Sequence, residues 1–148
     1  MASTNIIDKS VHIKSTPEKI LEFLTTPGKV QLALPGLVET LDTPEGRMQE
    51  DSSFRYKYQM YGVMLEGTWH VVTIEAPSKY VGKTSGAASS TWSYTLSTEG
   101  DETKLQLHIQ YDIPSTVIEK AVVSVVSAMN EKEIDTYLEN LKSIFELQ

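Results

Sequence analysis

A chain of 148 residues, 40% of them hydrophobic, is about one domain's worth of sequence and carries enough apolar side chains for a core. Its net charge of −7, with no block of Lys or Arg, repels phosphate backbones and anionic headgroups, so neither nucleic acid nor a peripheral membrane site is expected. The absence of cysteine excludes disulfides, thiolate nucleophiles and Cys-type zinc sites.

Met1–Ser10 lacks the charged-then-apolar pattern of a signal segment, and Ala121–Met129 is too short and too interrupted by serine to cross a bilayer. The expectation is a single cytoplasmic domain over residues 1–148 with no membrane insertion. Its oligomeric state is not legible.

Ile7, Val11 and Ile13 mark a first strand, with His12 and Lys14 on its other face. Ser15 and Glu18 fit a capping box, and Pro17 suits the first helical turn because its missing N–H is not needed there. Ile20, Leu21, Phe23 and Leu24 give this short helix its apolar face. Thr26-Pro27 repeats the start signal for a second short helix, which Pro35-Gly36 ends.

From Leu37 the period becomes two. Phe54, Tyr56, Tyr58 and Met60 alternate with Arg55, Lys57 and Gln59, the pattern of a strand with one wet and one covered face. After a turn at Gly62, Leu65, Gly67, Trp69 and Val71 continue on the next strand. The apolar phase then slips to Val72 and Ile74, which predicts a bulge. Strands follow over Tyr80–Ser85, around Trp92, Tyr94 and Leu96, and from Leu105 to Ile113, with turns at Pro77-Ser78, Gly86–Ser90 and Gly100-Asp101. Pro114 stops the last strand. Thr116 with Glu119 reads as a second capping box opening a helix that runs to about Leu147. Its apolar stripe shifts from Ile118, Val122, Val125 and Met129 to Ile134, Tyr137, Leu138, Leu141 and Phe145, which predicts either a bend near Asn130 or a wrap over a curved sheet.

The order of elements, with Val11–Ile20, Phe23-Leu24, Leu34-Pro35-Gly36, Leu65–Trp69, Trp92-Ser93-Tyr94 and Tyr111–Pro114, resembles the START-like (SRPBCC) helix-grip superfamily, to which the major birch-pollen allergen belongs. Leu34-Pro35-Gly36 is most similar to the branch typified by the G subunit of carbon-monoxide dehydrogenase, and the rest suits the polyketide cyclase/dehydrase branch equally. The resemblance implies an α+β helix-grip fold: a seven-stranded curved antiparallel sheet, two short helices and one long C-terminal helix. It implies a small hydrophobic guest and no shared catalytic signature.

His12, His70 and His108 sit opposite the apolar residues of their strands, so the phase turns all three to solvent and away from acid–base chemistry. Because this fold pairs its first and last strands, His12 and His108 are candidate cross-strand neighbours. Gly82-Lys83-Thr84 is like the end of a phosphate loop but lacks the upstream glycine and the helix, and no metal-ligand spacing or nucleophile elbow occurs. No cofactor is expected.

The covered face carries Tyr56, Tyr58, Trp69, Trp92, Tyr94 and Tyr111, whose polar tips need partners in protein, water or guest. Small residues of the helix lie opposite these rings. A cavity of about 300 Å³ or more is therefore expected, walled by the six aromatics and roofed by Val122, Val126, Met129 and Asn130. Glu133, near the edge of the helix stripe, is expected to be solvated. The reading is non-catalytic binding of a hydrophobic or aromatic molecule; the alternatives are a polyketide cyclase/dehydrase-like enzyme and a protein-docking module.

Overall fold

A computed structural model describes residues 4–147. Seven strands form one antiparallel sheet: β1 (Thr4–Ile13), β2 (Leu37–Leu41), β3 (Ser53–Met60), β4 (Val63–Glu75), β5 (Lys79–Gly86), β6 (Ser90–Glu99) and β7 (Glu102–Asp112), in the order β1-β7-β6-β5-β4-β3-β2. Helices α1 (Pro17–Leu24) and α2 (Pro27–Ala33) lie between β1 and β2, and α3 (Ser115–Ile118) and α4 (Val123–Glu146) follow β7. This is the seven-stranded helix-grip architecture that the periodicity and the resemblance imply.

The alternation decides which face of each strand is covered. On β7, Leu105, Leu107, Ile109 and Tyr111 are buried while Gln106 and Gln110 are exposed. The predicted bulge lies in β4, where the pairing with β5 shifts register between Val71 and Thr73. Two glycines admit large rings onto the sheet: a Cβ on Gly67 would lie 2.7 Å from the Tyr56 hydroxyl, and one on Gly82 would overlap the Trp69 ring.

Four local expectations are corrected. The N-cap of α1 is Thr16, whose hydroxyl accepts from the Lys19 N–H at 3.3 Å, and not Ser15 with Glu18. The α3 cap is Pro114, with no side-chain bond from Thr116. Nor is the final helix continuous: α3 stops at Ile118, Val122 is extended at ψ 150°, and α4 starts at Val123 and runs unbroken through Asn130. The break falls before Asn130 for a steric reason. Val117 and Val126 are both fully buried, yet nine positions at about 100° each would put them on opposite sides of one helix. Breaking the helix lets both face inward. Ile118, Val122, Val125 and Met129 are then left exposed, with Val122 at 64%, so the apparent rotation of the stripe joins surface residues to core ones. The first and last strands pair as expected, but His12 faces Lys104 and His108 faces Asp8, so the two histidines are not neighbours.

Helix α4 is fixed to the sheet through Tyr137. Its hydroxyl bonds that of Tyr94 on β6 at 2.8 Å, both rings being buried. Tyr94 stacks on Tyr80 of β5 at 5.6 Å between centroids, and Tyr80 accepts from Trp69 Nε1 at 3.0 Å. Burial pushes the Tyr94 and Tyr137 hydroxyls up and that of Tyr80 up to about 12, so all three remain neutral donors. Tyr137→Phe should cost about 1–3 kcal/mol in urea unfolding, because it strands the Tyr94 hydroxyl in the core. Adding Tyr94→Phe should restore most of that loss; a double variant as unstable as the sum of the singles would contradict this account.

Candidate functional site

Two chambers of about 70 Å³ each lie between the sheet and the helices. The first is bounded by β1, β3 to β7 and α4, with Ile7, Leu65, Ile109, Tyr111, Asn130 and Ile134 among its walls. The second lies towards α1 and α2, against Leu24, Val30, Leu34, Phe54, Trp69, Tyr80 and Tyr94. Tyr56, Tyr58, Thr84 and Trp92 line both. Among the described residues the six aromatics line these two small chambers and not the single expected cavity of about 300 Å³ or more. A larger space, about 400 Å³, lies between the Gly86–Ser89 turn and α3 and shares Ala88, Ser89 and Asp112 with the first chamber.

All six aromatics expected on the wall reach a chamber. Of the four expected roof residues only Asn130 does. Val126 is buried outside both chambers, whereas Val122 and Met129 point to solvent, because the helix break turns their face outward. Ile134 takes their place in the roof.

The premise that so many polar tips imply a void fails as well. Trp69 bonds Tyr80, Trp92 Nε1 donates to Ser90 Oγ at 3.0 Å, and Tyr94 bonds Tyr137. Tyr56 bonds Thr84, which in turn shares a 2.6 Å hydroxyl contact with Ser90. Asn130 Nδ2 donates to the Tyr111 hydroxyl at 3.2 Å and to Met60 Sδ at 3.6 Å. No buried side-chain nitrogen or oxygen among the described residues lacks a partner. Tyr111, accepting from Asn130, keeps its own proton for a guest in the first chamber.

Glu133 is the residue that sequence reasoning misjudged. It is half-buried, not solvated. The Tyr58 hydroxyl donates to it, and so does the Gly36 N–H. Burial pushes its carboxyl up to about 7, against the opposing pull of the Gly36 bond. Gly36 is required here, since a Cβ would stand 2.7 Å from the Tyr58 ring and 2.8 Å from both Glu133 oxygens. The signal was present in the spacing: Glu133 lies one turn from Tyr137, a fully buried residue of α4, and next to Ile134.

The histidines lie on the outer face of the sheet, each beside a carboxylate: His12 with Glu99 at 3.1 Å, His70 with Asp51 at 3.6 Å and His108 with Asp8 at 2.9 Å. Gly82-Lys83-Thr84 lies within strand β5, and the next element is strand β6, not a helix. Among the described residues no helix is long and apolar enough to cross a membrane.

The profile of the family described as polyketide cyclase/dehydrase and lipid transport matches residues 5–146. The chain belongs to that family. Of the two branches that the sequence resembles, this is the one matched, and the START-like reading stands with it. The fold agrees with solved structures of low identity. The protein TTHA0849 of Thermus thermophilus superposes with a TM-score of 0.77 at 12% identity, over 94% of this chain and 95% of that one. The major latex-like protein 151 of Panax ginseng gives 0.68 at 18%, over 96% and 97%. CV1439 of Chromobacterium violaceum gives 0.73 at 14%, over 96% and 98%. Identities this low establish the fold and nothing finer. No curated protein matches the sequence.

Glu133 makes a pH prediction. An acid whose pKa is raised on folding stabilises the fold while protonated. That contribution is complete below about 4.5 and is lost as pH rises through about 7. Glu133→Gln cannot ionise and keeps an acceptor for Tyr58. Its stability relative to the parent should therefore rise between these values and level off, reaching about 1–3 kcal/mol after allowance for screening at a half-buried site. Urea unfolding across that range measures it, and a difference independent of pH would refute the assignment.

Proposed function

We propose that the protein binds a small hydrophobic or aromatic molecule between the sheet and α4, without chemistry of its own, as one cytoplasmic domain over residues 1–148. The observation carrying this reading is the pair of apolar-walled chambers, each several times larger than the roughly 10–15 Å³ a single water needs. Tyr111 supplies a donor with which a guest oxygen can be oriented. Proposed contacts are Tyr56, Tyr58, Trp92, Tyr111, Asn130 and Ile134 in the first chamber, and Trp69 and Tyr94 in the second. Val122, Val126 and Met129 are left out of the set.

A second reading, a cyclase or dehydrase, has one observation in its favour. Glu133 is an inward acid of near-neutral pKa bonded to a tyrosine that borders both chambers, a pairing able to hold or pass a proton at a carbonyl. Against it, most polar groups of the site are committed to one another.

Indole, followed through the methyl resonances of Ile109 and Ile134, tests the binding reading. The expected result is saturable shifts at both residues. Ile134→Trp should fill the first chamber and weaken indole at least about tenfold with the fold intact. Replacing His12, His70 and His108 together with Gln should leave the titration unchanged. Absence of saturable shifts in the parent protein overturns the proposal.

A further inference from the structure

The two chambers share four wall residues, Tyr56, Tyr58, Thr84 and Trp92. Three of these are held from the sheet itself. Tyr56 bonds Thr84 and lies over Gly67, Thr84 bonds Ser90, and Trp92 also bonds Ser90. Tyr58 differs. Its hydroxyl is held from across the cavity, by Glu133 on α4, and its ring leans on the open backbone of Gly36. One hydrogen bond therefore holds Tyr58 to the opposite wall.

The groups behind that bond form a polar site. Glu133 brings a carboxyl that accepts, and Gly36 brings the backbone N–H that orients it. With Tyr58 moved aside, both would face the joined space between chambers. The bond that would be broken joins a hydroxyl to a carboxyl, so a guest hydroxyl restores it in kind and avoids leaving a desolvated acceptor unpaired. A guest lacking that group has to meet the loss uncompensated.

We propose that Tyr58 is a displaceable partition latched by Glu133, and that the Glu133 carboxyl with the Gly36 N–H is the binding site for the hydroxyl of an elongated apolar guest that occupies both chambers. This rests on the reading that the chambers bind a guest, and it adds the guest's length and its one polar group.

The probes are indole, which fits one chamber, and trans-stilbene and 4-hydroxystilbene, two-ring rods that need both; their affinities are measured by fluorescence and NMR titration on the full chain. The closed latch lowers the apparent affinity of any rod in proportion to how small the open fraction of the protein is. Tyr58→Phe keeps the ring and removes the latch, so trans-stilbene should bind about tenfold more tightly to it than to the parent, a gain well beyond any change in indole. In the parent, 4-hydroxystilbene should bind more tightly than stilbene, and Glu133→Ala should abolish that preference. If indole binds but stilbene ignores Tyr58→Phe, or the hydroxyl preference survives Glu133→Ala, the partition is overturned and the pocket stands. If none of the three probes binds any variant, the pocket and the partition fall together. Thermal unfolding of each variant separates these outcomes from simple loss of fold.

Discussion

The bond between Tyr94 and Tyr137 is the constraint on which the site's geometry depends. A helix lying on a sheet can roll about its axis and slide along it, and apolar contacts alone resist both motions weakly because they are non-directional. A hydroxyl pair in a water-free core is directional and costly to leave unmade. It fixes the rotation of α4, and with it the side on which residues one and two turns earlier emerge. Asn130, Glu133 and Ile134 all meet the interior because Tyr137 does. Below it, the stacked Tyr80 ring and the Trp69 indole carry the same restraint two strands further into the sheet.

The polar groups of the interior divide by how they are held. Those on neighbouring strands satisfy one another within the sheet, and their geometry is set by strand register. Thr84 and Ser90 are directly opposed partners of β5 and β6, which is why their hydroxyls meet. Those that bond across the cavity, Tyr58 with Glu133 and Tyr111 with Asn130, depend on the spacing between two layers. Any change in that spacing is felt by the second group first. A guest entering between the layers acts on the bonds that span the gap and leaves the ladder untouched.

Much of the fold could be read from the chain because period two is a strong signal when one face is covered. The strands around Tyr56, Trp92 and Leu107, and the bulge after Val71, were legible for that reason. The final helix was not, because an apolar residue on a helix does not declare whether it is core or surface. Val122 and Met129 fit the stripe and lie in solvent, and only the joint burial of Val117 and Val126 reveals the break. The aromatic wall was legible from strand phase. The volume behind it was not, since it depends on which polar tips find each other across layers. Glu133 was missed because a charged residue at the margin of a stripe is ordinarily solvated. Its burial depends on Gly36 and Tyr58, both far away along the chain.

The place of β1 in the sheet has a consequence for the order of events at synthesis. β1 is an edge strand whose one neighbour is β7, with Ile7 opposite Ile109, and α4 closes over it through Lys9 to Asp135 and Lys142 to the His12 carbonyl. Within this sheet, the strand earliest in the chain is therefore the last to find its partner. While the chain grows from the ribosome, β2 to β6 can pair as successive hairpins, each closing a short loop. β1 meanwhile keeps its hydrogen-bonding edge and its row of isoleucine and valine without a partner until β7 has emerged. Its alternate polar residues, Asp8, Ser10 and His12, keep that waiting segment in solution and oppose pairing with the wrong edge.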